Sequence, residues 1–155
     1  MRKFISIPIV AFFVIGMIGC NSNSTTGNTS QTAAAPKKDS VKTDNGIGKF
    51  TSVRLTHPLD DSMVARGKFI FDTKCMACHK LSNEKLVGPG WQGVTDRRTP
   101  EWIMNFITNT NVMLDSDLVA QQLMVVCVTR MPNQNISDDQ ARAILEYMRK
   151  NDGKK

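Results

Sequence analysis

Cys75-Met76-Ala77-Cys78-His79 puts two thiols and an imidazole into five consecutive positions. The chain has 155 residues, four cysteines and two histidines, so half of each scarce residue type is spent here. Two thiols three residues apart can share one disulfide, one metal ion or one cofactor. A thioredoxin-like CxxC expects a strand leading into a helix, and no alternating strand pattern of any length is present. A zinc site needs four ligands. Outside the cluster only His57 and Cys127 are available to complete one, from scattered positions.

The third reading is covalent attachment of a c-type haem. Each thiol adds to one vinyl group, the spacing of three matches the gap between the vinyls, and the following imidazole is placed to ligate iron. C-x-x-C-H is specific enough to favour this reading, and the rest of the chain agrees with it. About a hundred residues with a few helices make a thin core, and small domains of that kind need a staple or a large cofactor.

The chain begins with Arg2 and Lys3, followed by an apolar run from Phe4 to Ile18 that ends at Gly19-Cys20. The run is shorter than the roughly 20 apolar residues of a membrane-spanning helix and reads as a secretory signal over 1–19. Its end resembles a bacterial lipobox, with Met17 where leucine is usual. That resemblance implies cleavage before Cys20, lipidation of Cys20, and residence on the periplasmic face of a bacterial membrane. Residues 20–49 are expected to form a lipid-anchored flexible tether. Apart from Val41 and Ile47 the segment 21–49 has no bulky apolar side chain, so it cannot bury enough surface to offset ordering entropy. As a coil it would span roughly 30 Å.

Residues 50–155 read as one domain. They carry 14 Lys+Arg and 12 Asp+Glu, which excludes a nucleic-acid footprint. Four helices are expected. The first covers about 62–75, after Asp60-Asp61-Ser62. The second starts at Thr99-Pro100-Glu101, a Thr cap with Pro at the first helical position. The third starts near Asp115-Ser116-Asp117 and presents Leu118, Leu123, Met124 and Cys127. The last starts at the capping box Ser137-Asp138-Asp139-Gln140 and stops near Asn151-Asp152-Gly153.

From about Val53 to Lys150 the chain resembles a class I mono-haem cytochrome c, bacterial and lipid-anchored. The resemblance rests on CMACH, on Gly67 and Phe71 eight and four residues before Cys75, on Gly88-Pro89-Gly90, and on Ile144-x-x-Tyr147. It implies an all-α cytochrome c fold of four to five short helices around one covalent haem c. In the family the first and last helices cross, and the glycine lets their backbones approach. The Pro89 carbonyl is then expected to accept a hydrogen bond from His79, fixing the ring and raising its basicity.

By the same resemblance, His79 and Met131 of Arg130-Met131-Pro132-Asn133 are the axial iron ligands. Met113, in the connection between helices, is the main competitor, and His57 a lesser one. Arg97, Arg98 and Trp102 are expected to meet the haem propionates, Trp91 to cover a haem face or fill the pocket, and Cys127 to act as a small apolar residue. Iron closed by two protein ligands has no substrate position, so the expected function is one-electron transfer and not catalysis. A peroxidase-like enzyme or a haem-based sensor with a labile sixth ligand is the alternative, but no second histidine follows His79 to serve as a distal acid-base group. The expected partners are redox proteins, such as a quinol-oxidising complex and a terminal oxidase or reductase, with Lys74, Lys80 and Lys85 steering them.

Overall fold

The computed structural model describes residues 44–127 and 129–155. The signal segment, Cys20 and most of the expected tether lie outside the described residues. Among the described residues there are six α-helices and no strand. Helix α1 is Asp61–Ile70 and runs on into a π-helical turn, Phe71–Cys75; α2 is Val94–Arg97, α3 Pro100–Thr108, α4 Thr110–Ser116, α5 Leu118–Val126 and α6 Asp138–Asn151.

The longer helices start where the sequence says they should. Asp60 accepts from the Met63 N–H (2.9 Å) and caps α1. Thr99 accepts from the Trp102 N–H (3.0 Å) and caps α3, with Pro100 at its first position. Ser137 and Gln140 exchange both bonds of the capping box that opens α6. Each such cap satisfies backbone donors that a helix start otherwise leaves orphaned.

Helices α1 and α6 cross at Gly67. A Cβ there would collide with the Ala143 carbonyl and lie 2.7 Å from Tyr147 Cβ. The cost of a glycine inside a helix, about 1 kcal/mol against alanine, is therefore accepted for close backbone approach. Ile70, Phe71, Ala143, Ile144 and Met148 are buried at and beside this crossing. A buried carboxylate ties the lead-in segment to it. Glu146 accepts from Thr56 Oγ1 (2.7 Å), the Asp60 N–H (3.1 Å), Arg142 Nη1 (2.6 Å) and Arg149 Nη1 (2.8 Å). Burial pushes its pKa up, but these hydrogen bonds outweigh burial and take it down to about 2.

Three expectations need correction. Residues 44–49, assigned by sequence to the tether, pack on the domain. Buried Asn105 donates to the Asn45 and Phe50 carbonyls and accepts from the Phe50 N–H, all at 2.9 Å, and Thr99 Oγ1 donates to the Asp44 carbonyl. Met113 is not in a connection but in α4, fully buried, with its sulfur accepting the Ile47 N–H at 3.0 Å. The third expected helix corresponds to α5 alone, and α4 before it was not expected. The cap of α5 is Asp117, accepting from the Ala120 N–H, and Leu118 faces solvent at 75% exposure.

Candidate cofactor site

The π turn that ends α1 delivers Cys75 into the interior, and π turns of this kind recur at functional sites. Cys78 and His79 follow in a tight turn, both backbone N–H groups donating to the Cys75 carbonyl. The chain then loops through Gly88-Pro89-Gly90 and returns beside the ring. His79 Nδ1 donates to the Pro89 carbonyl at 2.9 Å. A carbonyl can only accept, so Nδ1 carries the proton and Nε2 keeps its lone pair. Burial lowers the His79 pKa, with the Pro89 bond opposing it, which favours the neutral ring that binds metal. Gly88 is required by contact: a Cβ would overlap the imidazole.

These residues open onto one cavity of about 280 Å³. Its walls include Trp91, Val94, Ile103, Phe106, Ile107, Leu114, Leu123, Ile136 and Ile144. Of the residues singled out by sequence, Cys75, Cys78, His79, Pro89, Trp91, Arg97, Arg98, Trp102, Cys127 and Met131 line it. Met113 and His57 do not. Trp91 packs edge-on against Phe71 with centroids 4.7 Å apart, and lies 5.9 Å from the His79 ring.

The two arginines differ. Arg97 is exposed and donates to the Gln92 carbonyl. Arg98 is half-buried with its guanidinium 5.0 Å over the Trp102 ring. Trp102 lines the cavity, but its indole N–H donates to Asp117 at 3.3 Å, so that N–H is already engaged within the protein.

The competing readings of CMACH do not assemble. Burial pushes the Cys75 thiol up to about 11, whereas a redox-active CxxC works through a lowered thiol pKa. Among the described residues no group of three or more His, Cys, Asp and Glu is placed to hold a metal ion.

The cytochrome c family profile matches residues 64–152. The chain belongs to the cytochrome c family. A solved cytochrome c from Rhodothermus marinus is 39% identical, with a TM-score of 0.66 over 68% of this chain and 90% of that one. An engineered cytochrome c from the same organism is 38% identical, with a TM-score of 0.65 over 68% of this chain and 91% of that one. A cytochrome c domain from Pseudomonas putida is 25% identical, with a TM-score of 0.50 over 56% of this chain and 88% of that one. No curated protein matches the chain.

Family membership makes haem c, covalently bound at the Cys75–Cys78 motif, the cofactor, and haem-based electron transfer the general function. The residues present fit that group: an apolar cavity, two free thiols at its wall, and a histidine ring held by a carbonyl beside a glycine with no room for a side chain. What sequence reasoning missed is the strap 44–50 behind α3, and Leu114 of α4, which reaches the cavity wall. A residual signal was available in Ile47, an apolar residue stranded in a polar stretch.

Proposed function

We propose that this cytochrome is a lipid-anchored one-electron carrier whose haem iron is bound by His79 and Met131, closed to substrate. The reading is carried by the His79–Pro89 bond together with Met131 on the wall of the same cavity. Met113 is a poor rival because its sulfur already accepts a backbone N–H behind α3. Bound haem c supplies a one-electron Fe(III)/Fe(II) couple, and thioether ligation raises its potential relative to two nitrogens. The Pro89 carbonyl holds the His79 proton on Nδ1 and keeps Nε2 available. The apolar walls exclude water. Arg98, part-buried on Trp102, is better placed than Arg97 to meet a propionate.

Redox partners would approach at the part-exposed Cys78, beside the buried Cys75. Met76, Leu86 and Val87 are exposed large apolar residues close after Cys75 in sequence, and Val125 and Val126 are exposed at the end of α5. Lysine steering would be modest: Lys80 is paired with Glu84, and Lys74 and Lys85 donate to the Gln134 and Val126 carbonyls. A quinol-oxidising complex as donor and a terminal oxidase or reductase as acceptor suit a carrier on the periplasmic face. Cys20→Ser should release the protein into the soluble periplasm with its haem spectrum unchanged; a variant that stays with the membrane contradicts the anchor. Carbon monoxide added to the reduced protein tests the carrier against an enzyme or sensor. No rapid binding is expected, and rapid binding would overturn the closed site.

A further inference from the structure

The end of α6 does more than stop a helix. Helix α2 has Gly93 as its N-cap, with a positive φ of 71° and no side chain to cap with. The Val94 and Asp96 N–H groups bond locally to the Trp91 and Gly93 carbonyls, which leaves the Gly93 and Thr95 N–H groups without a local partner. They are met from 57–59 residues away. Asp152 accepts from the Gly93 N–H (2.6 Å), the Thr95 N–H (2.9 Å) and Thr95 Oγ1 (2.7 Å). The adjacent Asn151 donates its Nδ2 to the Leu81 carbonyl at 3.0 Å, two residues after His79. Asp152 is the C-cap of α6, where a negative charge opposes the helix dipole. Local helix chemistry therefore disfavours a carboxylate there, and the three bonds it accepts from the other segment account for it.

The two residues grip both limbs of one loop. Between Leu81 and Thr95 lie Gly88, Pro89 and Trp91, which hold or face the His79 ring. Val94, Arg97 and Arg98, on and after α2, line the same cavity. We infer that Asn151 and Asp152 are positioning residues for the haem cavity: together they clamp the Lys80–Arg98 loop to the end of α6 and so set where Pro89, Trp91 and Arg98 stand around the cofactor. The inference concerns how the cavity is held and stands whichever methionine binds iron.

The test uses the haem-loaded full chain with Asp152→Ala and, as a milder variant without charge change, Asn151→Ala. In Asp152→Ala the Gly93 and Thr95 amides should exchange with solvent about tenfold faster or more, since one lost hydrogen bond to a charged group is worth at least about 1.4 kcal/mol. Amides of α3 should exchange as in the parent. In both variants the midpoint potential and the visible circular dichroism of the haem should shift, and the shifts should persist at about 1 M salt, where the Debye length is about 3 Å and a bare surface-charge effect is screened. Parent-like exchange over residues 91–98 would overturn the inference. So would a potential shift seen only in Asp152→Ala and only at low salt.

Discussion

The α1–α6 crossing and the limb from Leu118 to Ile136 are built on opposite principles. At the crossing, protein packs on protein. Gly67 meets the Ala143 backbone, Ile144 and Leu145 are almost wholly buried, and Glu146 is closed off by four donor residues. The limb packs on protein less completely, chiefly through the buried Ala120 of α5 against α4. Leu118, Val125 and Val126 face solvent, Met131 is half-buried, and Leu123, Met124, Cys127 and Ile136 turn toward the cavity. Apolar side chains that line a cavity are stabilised only when that space is filled, because an unfilled wall forfeits its dispersion contacts. The first region holds itself; the second is shaped to hold the haem.

Removing the cofactor should expose that asymmetry most strongly. Cys75→Ala with Cys78→Ala should abolish covalent haem and leave most of the chain unfolded, because the haem supplies much of the core. Whatever helicity survives should reside in α1 and α6, read by amide exchange. A colourless protein with full helicity and a protected limb would contradict the comparison. In the parent, acid-acetone should leave the haem on the polypeptide.

The crossing can be attacked alone. Glu146→Gln leaves Arg142 and Arg149 without their shared carboxylate. Breaking a buried pair in this way costs about 3–5 kcal/mol, which denaturant titration of the holoprotein would read. A smaller effect comes from acid. Glu146 titrates near 2 in the folded protein against an ordinary value of 4.5. The folded state therefore holds this proton less tightly than the unfolded state. The stabilisation is complete above about pH 4.5 and is lost as pH falls toward 2. In Glu146→Gln that part of the acid slope should disappear, and an unchanged slope would show that other groups carry it.

Much of the crossing and of the site was legible in the sequence because its signals are local. CMACH, the Ser137–Gln140 box, Thr99-Pro100 and Gly88-Pro89 each act within a few residues. Gly67 was legible only through family resemblance, since its partner Ala143 is far away in sequence. The misses share the same cause in reverse. Helix α2 is capped by Asp152, and α4 has no side-chain cap at Asn109. Residues 44–49 have the composition of a coil and are held through their backbone by Asn105. Met113 was read as a connection residue because α4 has no side-chain cap to announce it, and as a candidate ligand because the group that occupies its sulfur, the Ile47 N–H, lies 66 positions earlier.

The two regions meet in one decision, which methionine the iron uses, and it can be measured in the oxidised protein. The weak red absorption of an iron–sulfur(Met) bond should be present in the parent and in Met113→Ala. It should vanish in Met131→Ala, with a lowered potential and new carbon monoxide binding in the reduced state. Persistence of the band in Met131→Ala, or its loss in a folded Met113→Ala, would contradict the account of a limb shaped to bring Met131 to the haem.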